Sequence, residues 1–467
     1  MYTCIYNSRQ VNYLARKILL PSGWKDNVLI SVNAEGDIED ISENSASSGA
    51  SLIDGVVIPG MPNLHSHAFQ RAMAGLCEFS VPGQNNFWSW RETMYRLANT
   101  LSADELEIIA TQLYIEMLKS GYTSVSEFHY LHHDIGGKPF AASEENSTRL
   151  IRAAQSSGIG MCLLPVLYMS ADMNGTPAAP EQARFVHDID TYVDLFEILS
   201  RQQNSQINIG MAMHSLRAVP EEALLTIVDY CSQSFASHPM HIHVAEQERE
   251  VDECIEKHGC RPVQWLFDNI DINETWCLVH ATHVDGKELE SMAKSDCVVG
   301  LCPSTEANLG DGIFSLREFA AGGGTYGIGS DSHVSISPIE ELRWLEYAQR
   351  LQLQERNVSA SEQLPHCGWQ LWASALAGGA RASARNIGSI TKGKRADWLV
   401  LDEQHPLLHA KAPEHVLDSL VFSGNQGLVK DVMVGGEWRV KDRRHQQEES
   451  ATSAFNKLMH ELAKRIH

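Results

Sequence analysis

The chain is 467 residues long, 43% hydrophobic and 21% charged, and its 59 acidic against 37 basic side chains leave a formal net charge of −22. That composition fits a folded globular protein, and that charge repels nucleic acid and anionic membrane surfaces, so neither is expected as a partner. An anionic ligand would need a local cationic pocket set against the global field. No apolar run is long enough to span a bilayer, and no basic segment followed by an apolar core opens the chain. The ten cysteines are scattered without a C-x-x-C pair, so buried, reduced thiols in a cytoplasmic protein are expected.

Residues 1–57 read as short strands and turns, with a strand at 28–32 and a polar turn or loop at 44–51. Similar segments return late, at 396–402 and at 429–436, where Gly435-Gly436 marks a hairpin. Both ends are expected to pair into one small β-sandwich domain, 1–57 plus 388–445, with 446–467 forming a C-terminal helix. Between them, 58–387 shows a recurring short apolar strand, polar loop and amphipathic helix. Eight strands are predicted, at 56–67, 123–129, 160–167, 207–214, 240–245, 276–280, 297–301 and 325–329. Helices separate them, for example at 103–120 and 250–267. Apolar strands alternating with helices indicate a covered parallel sheet. Eight such units, with no Gly-rich phosphate loop after the first strand, predict a (β/α)8 TIM-type barrel and not a doubly wound sheet.

In such a barrel the chemistry sits at the C-terminal strand ends. There the sequence places His65 and His67 (strand one), Glu127 and His129 (two), His214 (four), His243 and Glu246 (five), His280 (six) and Asp331 (eight). His65 and His67 alternate past Ser66 and so share one face of an extended backbone. With His243 and Asp331 they supply three imidazoles and one carboxylate, the donor set of an open, catalytic metal site. Strand four ends in Met213-His214-Ser215-Leu216-Arg217 without a lysine that could bridge two metals, which favours one divalent ion. Zinc is the default, and iron or manganese suits the same ligands. His241 reads as a core histidine; Glu127, His129, His132 and His133 read as residues lining a polar loop.

The residues Pro59-Gly60-x-x-Asn63-x-His65-x-His67, His243-Val244-Ala245-Glu246, His280-Ala281 and Gly329-Ser330-Asp331 resemble the metal-dependent deaminases of the amidohydrolase superfamily. The tail Gly388-x-Ile390-x-x-Gly393-Lys394-x-Ala396-Asp397 is similar to the segment by which such chains re-enter their sandwich domain. The chemistry agrees: a divalent metal lowers the pKa of water towards neutrality. Asp331 would accept the water's proton, His280 would steer the hydroxide, and Glu246 would carry a proton to the substrate nitrogen.

Opposite that set the sequence offers Arg91, within Phe87-Trp88-Ser89-Trp90-Arg91, Tyr130, and His214 with Arg217. Guanidinium groups bind carboxylates through paired donors, which meets the requirement for a local cationic pocket. The segments from His65 to Gly75 and from His214 to Arg217 further resemble the N-formimino-L-glutamate deiminase family of histidine degradation. That resemblance implies hydrolysis of N-formimino-L-glutamate, with Gln70 near the formimino end. It also implies Arg91, Tyr130, His214 and Arg217 on the two carboxylates, and a homodimer. The stretch from Arg71 to about Leu97, with Pro82-Gly83, is expected to be a long loop that folds over the mouth or packs at a subunit interface. The rival readings are a deaminase of a cyclic substrate such as guanine, cytosine or an adenosine derivative, and a non-catalytic barrel scaffold.

Overall fold

A computed structural model describes residues 10–45, 49–79, 87–425 and 427–466. The two chain ends build one continuous eight-stranded sheet. Its order is Arg444–His445, Glu437–Lys441, Val429–Val434, Trp398–Leu401, Ser51–Pro59, Val11–Leu20, Gly23–Val32 and Ile38–Ser42. All neighbours are antiparallel except Val11–Leu20 with Ser51–Pro59. The halves join where Trp398–Leu401 pairs with Pro59 back to Val56. Alternation along these strands gives the sheet its own core, including Tyr13, Ile18, Ile30, Val57, Trp398 and Met433. The hairpin at Gly435-Gly436 is present, with φ of +57° and +76° that suit a two-residue turn between Val434 and Glu437.

The middle is the predicted parallel barrel. Its strands are Met61–Ser66, Tyr122–His129, Gly160–Leu167, a fourth interrupted at Gly210 (Ile207–Ile209 and Met211–Ser215), Met240–Val244, Trp276–His280, Val298–Leu301 and Thr325–Ile328. The second and third are buried at every position, as a sheet covered by helices requires. The seam closes where Ser66 bridges Asp331 in parallel: the Asp331 N–H donates to the His65 carbonyl (3.1 Å) and the His67 N–H to the Asp331 carbonyl (3.2 Å). Gly329 makes this approach possible, since a Cβ there would lie 2.7 Å from the His65 Cβ. The helix Ala103–Ser120 starts on a Ser102/Glu105 capping box and stops at left-handed Gly121. A last helix, Glu448–Ile466, packs on it through Thr452 to Gln112 and Lys119 to Glu448.

Three expectations are corrected. The strand at 56–67 is two strands that meet at Gly60: Ser51–Pro59 belongs to the end sheet and Met61–Ser66 to the barrel. Their apolar run is continuous, but the hydrogen-bond partner changes, from the Asp397 carbonyl for the Gly60 N–H to the Gly121 carbonyl for the Met61 N–H. The helix at 250–267 is also two, Glu248–His258 and Pro262–Asn269, because Gly259 turns left-handed and Pro262 opens a new helix. The loop from Arg71 to Leu97 instead contains a 3-10 turn, Ala68–Met73, and a helix, Phe87–Ala98; Pro82-Gly83 lies outside the described residues. All nine described cysteines are free, and among the described residues no helix is long and apolar enough to cross a membrane.

Candidate active site

The barrel brings His65, His67 and His243 together. Their Nε2 atoms lie 3.1 Å (His65–His67) and 3.0 Å (His65–His243) apart. Nδ1 of His67 faces the Phe128 carbonyl at 2.9 Å, and Nδ1 of His243 faces the His214 carbonyl at 3.0 Å. A carbonyl can only accept, so each Nδ1 carries the proton and each Nε2 presents a bare lone pair. Burial pushes His65 down to about 3 and His243 well below the ordinary imidazole range, so these two stay neutral. One proton on His65 cannot serve two facing lone pairs, whereas a cation at the shared focus serves all three rings. The donor set therefore fits a divalent metal.

Asp331 completes the cluster, with Oδ1 3.2 Å from His67 Nε2 and 3.4 Å from His65 Nε2. The φ of Asp331 is +44°, and Ala245 (+51°), His280 (+69°) and Ala281 (+49°) are left-handed too. The strand ends that carry these groups thus leave regular β geometry, a strain often stored where side chains must be aimed. A buried polar chain fixes the seam beneath: Asn63 Nδ2 donates to Ser330 Oγ (2.6 Å), His333 bridges Ser330 and Ser66, and Ser66 Oγ donates to Glu127 (2.6 Å). Glu127 also accepts from the Ala68 N–H (2.6 Å) and Tyr114 (3.2 Å), and burial raises its pKa to about 7.

On the far side of the histidines, Arg217 Nη2 donates to Glu246 Oε2 at 2.8 Å, and its Nε lies 3.6 Å from buried Glu250. Glu250 in turn accepts from the Ala245 and Glu246 N–H groups, which pins the loop after strand five. His280 Nδ1 donates to Glu306 Oε1 (3.2 Å), leaving Nε2 3.8 Å from Glu246. Burial alone would lower the pKa of His280; the carboxylates of Glu246, Glu306 and Asp331 reverse this and raise it to about 10.

His67, His243, Asp331, Arg217, Glu246 and His280 line one cavity at the barrel mouth together with Gln70, Arg91, Tyr130 and His214. His65 lies just beneath it, fully buried. Gln70 Nε2 donates to the Tyr130 hydroxyl (2.9 Å), and His214 Nδ1 pairs with Ser215 Oγ (3.0 Å). The Arg91 guanidinium stacks over Trp88 at 4.5 Å and Tyr95 at 5.4 Å. Every predicted site residue is thus gathered at this mouth.

The polar-loop reading holds for His132 and His133 but not for Glu127 and His129. Glu127 and His129 are buried within strand two, where Phe128 between them faces the histidines and turns both towards the helix layer. His132 and His133 follow it, tied to the carbonyls of Val166 (2.8 Å) and Val186 (2.7 Å). His241 is a core histidine, its Nε2 facing the Ala382 carbonyl at 2.7 Å. The sequence reading missed Glu250, Glu306 and His333. Glu250, in the first turn of the helix that follows Glu246, was open to notice; Glu306 reaches His280 across a loop whose path no local pattern dictates.

Residues 56–439 match the model of the amidohydrolase family. The chain is 48% identical over 449 residues to a formimidoylglutamate deiminase from Pseudomonas aeruginosa, covering 96% of this chain and 98% of that protein. It is 28% identical over 402 residues to an 8-oxoguanine deaminase of the same species, covering 83% and 82%. A crystal structure of an amidohydrolase from Brucella melitensis superposes with a TM-score of 0.92 at 44% identity, covering 97% of this chain and all of that one. With a family match across most of its length and the barrel and mouth described above, the chain belongs to the amidohydrolase family.

Proposed function

We propose that the protein is a deiminase that hydrolyses N-formimino-L-glutamate to N-formyl-L-glutamate and ammonia. The observation that carries this reading is one cavity that opens onto the His65–His67–His243–Asp331 donor set and is also lined by two guanidinium groups, in a chain of net charge −22. The Pseudomonas aeruginosa relative bears the name of that activity. His65, His67, His243 and Asp331 would hold one divalent ion per subunit, zinc by preference, with iron or manganese suited to the same donors. Such an ion supplies Lewis-acid activation of water at neutral pH.

The chain's own groups then divide the work. Asp331, beside the donor set, takes a proton from the water that adds to the formimino carbon. His280, its Nδ1 fixed on Glu306, turns Nε2 towards the reacting oxygen and steadies the charge that develops there. Glu246 delivers a proton to the terminal nitrogen. The C–N bond breaks, the formyl C=O forms, and one water is consumed for each ammonia released. Arg91, Tyr130, His214 and Arg217 hold the carboxylates, with Gln70 at the formimino end. In the same reading 58–387 is the catalytic barrel, 1–57 with 388–445 the end domain and 446–467 an appended helix, in a cytoplasmic homodimer.

The test is ammonia release across N-formimino-L-glutamate, N-formimino-L-aspartate, guanine and cytosine, with elemental analysis of the purified protein. Turnover of the first with one metal equivalent per chain is expected. Ammonia from a nucleobase instead would remove the substrate, and absence of stoichiometric metal would favour a scaffold.

A further inference from the structure

The cavity wall beside Arg91 carries a hydrogen-bonding unit that the roles above leave unused. Tyr95 stands on the helix Phe87–Ala98 and Tyr168 directly follows strand three; both line the cavity. Their rings pack on Phe185 (5.8 and 5.7 Å between centroids), and Tyr168 lies 4.8 Å from the His214 ring. Behind them sits Gln182, buried at the end of the 3-10 turn Pro180–Gln182.

The hydrogens at this unit can be counted. Gln182 Oε1 accepts the Ala179 N–H at 2.8 Å, which fixes the amide so that its NH2 faces the tyrosines. That NH2 donates to the Tyr95 oxygen (3.3 Å) and to the Tyr168 oxygen. Both phenol oxygens are therefore acceptors here, and two phenolic hydrogens remain to be placed. A bond between the phenols uses at most one. No other acceptor for the second lies among the described residues, so it is available to the cavity. Burial raises the pKa of Tyr168, so it stays a neutral donor. With the Arg91 guanidinium against Tyr95 and Arg217 on the same cavity wall, this end of the cavity offers donors and positive charge.

We infer that Tyr95 and Tyr168, oriented by Gln182, form a further carboxylate-recognition element that donates a phenolic hydrogen to the substrate and selects an anionic over a neutral tail. The inference deepens the proposed function and rests on it. Gln182 acts through the tyrosines and is a positioning residue.

The experiment compares wild type, Tyr95→Phe, Tyr168→Phe, the double variant and Gln182→Leu. Three substrates are used: N-formimino-L-glutamate, N-formimino-4-aminobutyrate (no α-carboxylate) and N-formimino-L-norvaline (no side-chain carboxylate). Loss of one hydrogen bond to a charged group should raise KM for the dicarboxylate roughly 10- to 100-fold in the double variant, with kcat held within about twofold. The penalty should vanish on the analogue that lacks the contacted carboxylate and persist on the other. Gln182→Leu should show part of the same KM rise, and metal content should match wild type in every variant. An unchanged KM in the double variant, an equal penalty on all three substrates, or a fall confined to kcat would overturn the inference while wild-type activity stands. A wild type inactive on all three would bring down the functional reading, and this inference with it.

Discussion

Replacing Glu306 separates the orientation of His280 from its electrostatics. The bonds Glu306 accepts, from the His280 ring (3.2 Å) and from the Cys302 N–H (2.9 Å), both end on Oε1. In Glu306→Gln an amide carbonyl can take that oxygen's place, so both bonds and the Nδ1-protonated ring survive while the charge is lost. A charged acceptor is worth about twice a neutral one, a difference of about 1–1.5 kcal/mol, so kcat should fall about tenfold. In Glu306→Ala the acceptor is gone. The His280 Nδ1–H and the buried Cys302 N–H both lose their partner, and the ring is free to turn or change tautomer. That loss of about 3–4 kcal/mol corresponds to a fall of roughly 10²–10³ in kcat. Steady-state ammonia release measures both variants, with metal content determined on the same samples. Metal should be retained, because the contacts of Glu306 are to His280 and Cys302 and not to the three histidines or Asp331. Equal turnover in Gln, Ala and wild type would refute the positioning argument, and so would a fall that simply tracks lost metal.

Treatment with a strong chelator should abolish ammonia release and zinc should restore it; His243→Ala should bind less than about a tenth of the wild-type metal at micromolar zinc, measured by elemental analysis. Gly329→Ala would bring a Cβ to 2.7 Å from the His65 Cβ and 2.9 Å from its backbone N and O. It should cost about 2–4 kcal/mol; an unaltered thermal transition would mean that the seam has slack. Buried Glu341 accepts from the Ser304 N–H (2.8 Å) and Oγ (2.6 Å), and burial raises its pKa to about 8. Because the folded-state value exceeds the ordinary 4.5, the stability this carboxyl allows is fullest below about pH 4.5 and is lost as pH climbs to 8. Glu341→Gln escapes that loss, so its advantage in denaturant titrations should grow across the same window to on the order of 4 kcal/mol; an advantage flat in pH would contradict it.

The barrel was legible because its strands are short apolar runs at regular intervals, and a helix such as Ala103–Ser120 announces both ends through Ser102, Glu105 and Gly121. The clustering of His65, His67, His243 and Asp331 was legible for the same reason: once eight units close, strand ends must converge. What local pattern could not convey was the change of partner at Gly60, since hydrophobicity is silent about which neighbour a strand pairs with. The second tier of the site was hidden in the same way. Glu306 and His280 are 26 residues apart, and Ser66 and His333 are 267 apart. Such partners are chosen by loop paths. Arg217 was expected at the substrate carboxylates, and its pairing with Glu246 was not foreseen.

The site and the closure of the barrel are one structural event. The two backbone bonds of the seam join Asp331 to His65 and His67, and the same three residues bring their side-chain donors within 3.4 Å of one another. Backbone pairing therefore sets the distance between carboxylate and imidazoles; a one-residue slip would turn Asp331 to the other face of its strand. The coupling runs in both directions. A cation gripped by these side chains binds the closed barrel and not the open one, so it adds free energy to closure as RT ln(1 + [M]/Kd). Asn63 and Ser330, hydrogen-bonded across the same seam, hold it from below at 2.6 Å. A metal held above and the amide–hydroxyl pair below would thus bear on the same two strands, at the point where Asp331 turns left-handed.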